Sequence, residues 1–117
     1  MVMEYPLEIF KALSEETRFR IIYILIKAKE ELCECDLADI LNIPQYNVSK
    51  HLNLLDNAGI IKKRKECRLI YLSLSDYLDK FKSTIVKSLT HLPKELNAKD
   101  IVKMNQHFLI QNGERCK

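Results

Sequence analysis

Residues 36–65 read DLADILNIPQYNVSKHLNLLDNAGIIKKRK, and the fold turns on how they are read. Leu37, Ile40 and Leu41 recur at helical spacing, which predicts a short helix over residues 36–41. Asn42 and Pro44 end it, because proline lacks a backbone N–H and disfavours helical geometry in the residue before it. A longer helix is expected over 45–58. Val48, Leu52 and Leu55 share one face of it, and Gln45, Tyr46, Asn47, Ser49, Lys50 and Asn53 occupy the other sides. Gly59 stops that helix where a left-handed residue is needed. Two helices joined by a tight Asn-Ile-Pro turn make a helix-turn-helix pattern whose second helix is polar outward.

After Gly59 the period changes. Residues 60–65 and 68–74 are rich in Ile, Leu and Tyr, with Glu66-Cys67 between them, which predicts a β-hairpin. A hairpin directly after a recognition helix is a wing. The basic run Lys62-Lys63-Arg64-Lys65, with Arg68 close by, then sits beside a helix that would enter a DNA groove. Phosphate contact therefore outweighs a merely solvated strip. Charge distribution agrees: the net charge of +3 divides into −4 over residues 1–41, +5 over 42–92 and +2 over 93–117. Gln45, Asn47, Ser49 and Lys50 are the expected groove and base contacts, with Asn53 on the same polar surface. Lys62, Lys63, Arg64 and Arg68 are expected on phosphate or in the minor groove. His51, inside the recognition helix, suits a packing or phosphate role.

The flanks are helical. Leu7, Phe10 and Leu13 mark a helix over 4–13. Ser14 is placed as the N-cap of a second helix over 15–27, with Glu15 and Glu16 where the helix dipole favours acids and Phe19, Ile22, Leu25 and Ile26 inward. Residues 28–34 read as a charged loop. Ser75-Asp76 would cap a helix over 77–89, with the stripe Leu78, Phe81, Ile85, Leu89 and Leu92. That stripe either packs on its own core or pairs with Leu7 and Phe10 across a homodimer interface; a small winged domain has few places to bury it, which favours the dimer. Residues 93–117 form an extension to the 1–92 unit, with one more helix turning Ile101, Met104 and Phe108 inward before a loose Cys116-Lys117 end. The fold class expected is mainly α with a small β-hairpin, a winged helix-turn-helix.

Composition sets bounds. The 117 residues suffice for one compact domain, and 47% apolar residues suffice for its core. No run approaches the ~18 apolar residues of a membrane span, and residues 1–13 have no signal-peptide pattern. A cytoplasmic protein without membrane partners is expected. Thiols stay reduced there, so close cysteines bind metal or sense redox state rather than staple the fold. There is no Ser/His/Asp set, glycine-rich phosphate loop or paired-carboxylate signature, so no enzyme is expected.

Residues 10–21, FKALSEETRFRI, resemble the opening of the ArsR–SmtB family of metalloregulatory repressors. Residues 48–61, VSKHLNLLDNAGII, resemble its recognition helix and exit, and 70–74, IYLSL, fit its wing. The resemblance covers about residues 5–92. It implies a homodimer that represses a double-stranded operator until an inducer ion binds. Residues 31–37, ELCECDL, are similar to the Cys-x-Cys-Asp motif of the family's arsenical sensors. By that resemblance Cys33 and Cys35 are ligands to arsenic(III) or antimony(III).

The chemistry agrees, since soft thiolates suit thiophilic ions. Residues two apart on a continuous helix point about 200° apart, so chelation needs a frayed helix start. A helix N-terminus lowers a thiol pKa, while Glu31, Glu34 and Asp36 oppose that shift. Binding there would distort the third helix and cost the fourth its pose on DNA. The arsenical sensors often place a third cysteine where this chain has Ala38. A third ligand would come from Cys116, ranked first, from Cys67, from a small cellular thiol, or not at all. The family's zinc and cobalt site is absent: Asp76 is followed by Tyr77 and Leu78, and position 89 is leucine. His91 and His107 read as surface residues. Three readings compete with an arsenic or antimony sensor: a sensor of cadmium, lead or another thiophilic ion, a thiol redox switch, and a DNA organiser without inducer.

Overall fold

The computed structural model describes residues 4–28 and 30–110. Six helices and one small sheet follow in the order α1 (Glu4–Leu13), α2 (Glu16–Lys27), β1 (Leu32–Cys33), α3 (Glu34–Leu41), α4 (Gln45–Asn57), β2 (Ile61–Glu66), β3 (Leu69–Leu74), α5 (Lys80–Ser88) and α6 (Ala98–Ile110). Short 3₁₀ turns at Leu89–His91 and Lys94–Asn97 join α5 to α6.

Helix α2 is the hub. Ile21, Ile22, Tyr23, Ile24 and Leu25 are all buried, more of its surface than one stripe. Phe19 and Ile26, expected inward, are only half-buried at its margins. Val48, Leu52 and Leu55 of α4 close the core from one side, Leu37, Ile40 and Leu41 of α3 from another, and Met104 of α6 from a third. Ile101 and Phe108 of α6 pack partly buried against the same cluster.

Local rules set the α3–α4 unit. Asn42, at φ +58°, ends α3 in the left-handed region, which asparagine tolerates. After α4 the Gly59 N–H bonds to the Asp56 carbonyl and the Ile60 N–H to the Leu55 carbonyl, a Schellman stop. Gly59 sits at φ +75°, and a Cβ there would come within 2.7 Å of Lys82 Nζ.

Several expectations shift. Ser14 does not cap α2; its hydroxyl turns back to the Lys11 carbonyl, and Glu15 is the cap, accepting from the Arg18 N–H at 3.0 Å. Residues 28–34 are not all loop. Leu32 and Cys33 pair with Leu72 and Tyr71, so the wing is an antiparallel sheet in the order β1-β3-β2. The hairpin turns at Cys67-Arg68, one residue later than expected, with Glu66 opposite Leu69. Helix α5 starts at Lys80 because Asp79, not Ser75-Asp76, accepts the Lys82 N–H. In α1 the buried residues are Ile9 and Ala12, while Leu7 and Phe10 stay 47% and 53% exposed. Among the described residues no helix is long and apolar enough to cross a membrane.

Candidate metal centre and nucleic-acid interface

Cys33 occupies a junction. It is the last residue of β1, opposite Tyr71, and the N-cap of α3. Its backbone N–H donates to Asp36 Oδ2 at 3.1 Å, and its sulfur accepts the Cys35 N–H at 3.3 Å. The result is a capping box in which a thiol replaces the usual hydroxyl. Because Cys33 has extended backbone while Cys35 is helical, the 200° divergence of a continuous helix does not apply. The two sulfurs meet on one side in direct contact, and both are free thiols.

Cys33 is buried and Cys35 is exposed. The Cys35 sulfur nevertheless lies against Cys33, and its thiol pKa is pushed up to about 12. Partial burial of the sulfur is the largest cause, followed by the hydrogen bond to Cys33 and the charges of Cys33 and Asp36. The backbone N–H of Asp36 opposes the rise and does not overcome it. The lowering expected from a helix N-terminus therefore loses here.

Three acidic side chains around the thiols reach other elements. Glu31 takes Arg64 of β2 in a two-point ion pair, with Nη2 at 2.6 Å and Nε at 3.0 Å from Oε1. Glu34 is only 5% exposed, and its Oε1 accepts from Ser49 Oγ and from Gln45 Nε2, both on α4. Asp36 is 1% exposed, with Oδ1 3.4 Å from His107 Nδ1 of α6. His107 Nε2 also lies 2.8 Å from Asp39, and Lys103 Nζ donates to the Asp39 carbonyl at 3.0 Å. His107 is thus no surface residue, because α6 folds back over α3. His91 is exposed.

Among the described residues no group of three or more His, Cys, Asp or Glu side chains forms a metal-binding cluster, so the thiols stand as a pair. Cys67 lies at the wing tip, four residues along β3 from Tyr71, or about 13 Å from the Cys33 pairing position at strand spacing. Cys116 lies outside the described residues.

The polar residues of α4 divide. Gln45, Lys50 and Asn53 are exposed, as is Tyr46 at 67%. Asn47 and Ser49 are half-buried, and Ser49 faces Glu34. His51 turns toward α2, with Nδ1 3.1 Å from Arg18 and 3.7 Å from Glu15. The wing cations divide as well. Lys62 pairs with Asp76 at 2.5 Å, Lys63 donates to Asn53 Oδ1, and Arg64 bonds Glu31 and Glu66 while stacking 4.7 Å from the Tyr71 ring centre. Lys65 and Arg68 are exposed and form no ion pair among the described residues. On the opposite side Leu78, Phe81, Ile85 and Leu89 are half-buried, and Phe10 meets Phe81 edge-on at 5.8 Å.

The sequence reading missed the bridging role of Glu34 and the Arg20–Asp100 pair. Period and charge do not name the partner of a glutamate between two cysteines, so the bridge leaves no signal along the chain.

Residues 15–63 match the model of the bacterial regulatory protein arsR family. The chain is 44% identical over 84 residues to a cadmium resistance transcriptional regulatory protein CadC homolog of Staphylococcus aureus, covering 72% of this chain and 67% of that one. It is 35% identical over 81 residues to the arsenical resistance operon repressor of Escherichia coli K12, covering 69% and 68%. Among solved structures, HlyU from Vibrio cholerae N16961 aligns with a TM-score of 0.64 at 26% identity, over 74% of this chain and 88% of that one. The AntR antimony-specific transcriptional repressor shares the fold, with a TM-score of 0.59 at 23% identity over 77% and 78%.

Proposed function

The chain belongs to the arsR family of bacterial regulatory proteins, and from that premise we propose that it is a transcriptional repressor of metal(loid) resistance whose inducer is trivalent arsenic or antimony held by Cys33 and Cys35. One observation carries the reading: two free thiols in contact at the first turn of the helix that packs on the recognition helix. With arsenous acid, each thiol proton leaves with one hydroxide as water while a sulfur–arsenic bond forms, and nothing is oxidised. A three-coordinate ion then needs one further thiolate, where a tetrahedral ion needs two. Cys116 is the thiolate we assign. It follows the end of α6 by six residues, a span of up to about 20 Å, and α6 is fastened to α3 through His107 and Lys103.

Residues 1–92 form the DNA-binding and dimerisation unit, and 93–117 an extension whose helix braces the sensor helix. Leu7 and Phe10, exposed beside Phe81, meet their symmetry mates together with Leu78, Ile85 and Leu89. Gln45, Asn47, Lys50 and Asn53 face the major groove, Ser49 turns inward to Glu34 rather than to the bases, His51 supports them, and Lys62, Lys63, Arg64 and Arg68 lie along the backbone. Two-fold symmetry then matches an imperfect palindrome.

A cadmium-responsive repressor is the second reading, favoured by the 44% identity to the CadC homolog. Fluorescence anisotropy of the reduced protein on its own promoter DNA separates the two. Arsenite and antimonite are expected to release the DNA with zinc inert, and Cys33→Ser with Cys35→Ser to abolish release. Release by cadmium alone selects the second reading. Release that survives both serines sinks the site.

A further inference from the structure

We propose that Glu34 is the positioning residue that couples the thiol pair to the recognition helix. The inference deepens the reading of Cys33 and Cys35 as the inducer site and rests on it.

Glu34 stands between the two ligands, so a backbone shift of the chelating turn displaces it as well. Its carboxylate is buried at the first turn of α3, where the helix dipole favours a negative group. A buried carboxylate must be satisfied by donors. Here one oxygen, Oε1, takes both Gln45 Nε2, at 3.4 Å, and Ser49 Oγ. Gln45 and Ser49 are four residues apart and share one face of the first turns of α4. On the polar side those turns carry no side-chain cap, because the N-cap is Pro44, while Val48 anchors them on the apolar side. The glutamate of α3 is therefore the outside brace of the end of α4 nearest the proposed base contacts.

Chelation acts on that brace. The two thiols face each other in direct contact. As the two sulfur–ion bonds form and the two thiol protons depart, both sulfurs are drawn onto one centre, and the turn of α3 that carries residue 34 shifts with them. Its acceptor then leaves Ser49 and Gln45, and the start of α4 loses the pose that fits DNA. The link from Glu31 to Arg64 carries the same motion toward the wing, so the test must isolate Glu34.

The test compares wild type, Glu34→Ala and Glu34→Gln. Each is titrated on promoter DNA with and without sodium arsenite, and with cadmium chloride in parallel. Bound ion is counted independently by protection of the thiols from an aromatic disulfide. Wild type is expected to release DNA within the 5–150-fold range usual for allosteric coupling, and Glu34→Ala less than about threefold with the same ion stoichiometry. Without ion, Glu34→Ala should already bind DNA as weakly as ion-loaded wild type. Glu34→Gln keeps an acceptor oxygen and most of the coupling. If Glu34→Ala fails to fold by circular dichroism, Ser49→Ala replaces it, with its release ratio expected to fall likewise. A wild-type release ratio in Glu34→Ala or Ser49→Ala, a Glu34→Gln as uncoupled as alanine, or loss of ion binding in Glu34→Ala overturns the coupling role. Wild type that protects no thiols overturns the inducer site itself, and the coupling falls with it.

Discussion

Arg20 of α2 and Asp100 of α6 form a two-point ion pair, Nε to Oδ2 and Nη2 to Oδ1, both at 2.9 Å. The carboxylate is buried and the guanidinium partly so. The pair fastens the C-terminal helix to the hub of the core, and that helix in turn holds α3 through His107 and Lys103. Breaking one partner of such a pair leaves the other uncompensated. Discounted for the exposure of Arg20, Asp100→Ala should cost about 2 kcal/mol, and Arg20→Met somewhat more because it strands the buried carboxylate. Urea unfolding checks this; unchanged midpoints in both variants would mean that α6 is held by its apolar face alone.

The Cys35 thiol, pushed up to about 12 chiefly by burial of its sulfur and by Cys33, should be slow to react. The sign follows from the acid: a raised pKa keeps the proton on at neutral pH, and the thiolate is the nucleophile. Alkylation of Cys35 by iodoacetamide, resolved by peptide mass spectrometry, should keep rising with pH above 9, where an ordinary thiol levels off. Cys33→Ala removes the hydrogen bond and the charge, so it should raise the rate at pH 8. A plateau near pH 9 in wild type would contradict the packed thiol pair.

Wing cations should contribute unequally to DNA affinity. Lys62 and Arg64 are already matched with Asp76, Glu31 and Glu66, whereas Lys65 and Arg68 stand exposed. Each unmatched cation that meets a phosphate contributes about one unit to the salt slope. Lys65→Ala with Arg68→Ala should therefore flatten the slope by about 2, and Lys62→Ala with Arg64→Ala by less. Equal effects from both pairs would show that the ion pairs open on DNA.

The wing turn stores strain. Cys67 and Arg68 have φ of +52° and +70°, the pattern of a two-residue hairpin turn that favours Asn-Gly. Cys67→Asn with Arg68→Gly should stabilise the fold by about 1 kcal/mol while weakening DNA binding through the lost charge. Thermal melting read beside DNA titration separates the two effects. A lowered melting point would mean that contacts of the present side chains outweigh their backbone strain.

Much of this was legible along the chain. Val48, Leu52 and Leu55 come out fully buried because one apolar face at a 3.6-residue period leaves a helix no other way to pack. Gly59 ends α4 for a reason contained in its own backbone freedom. Leu7 and Phe10 share the period of α1 yet lie outside its buried face, since period alone does not say which side of a helix meets the core. Strand β1 escaped notice because two residues carry no measurable alternation; only the free edge of β3 makes them a strand.

The sequence by itself determined what depends on neighbours in the chain: the helix-turn-helix, the hairpin after it, and two thiols at the start of a helix. Only the tertiary structure decided that Glu34 holds Ser49 fifteen positions on, that Arg64 answers Glu31 at a separation of 33, and that Asp100 closes on Arg20 at 80. Periodicity and propensity act over a few bonds, so they can place a charged side chain on a face. Which partner a buried charge finds depends on how the faces pack, and that is settled only when the whole core forms.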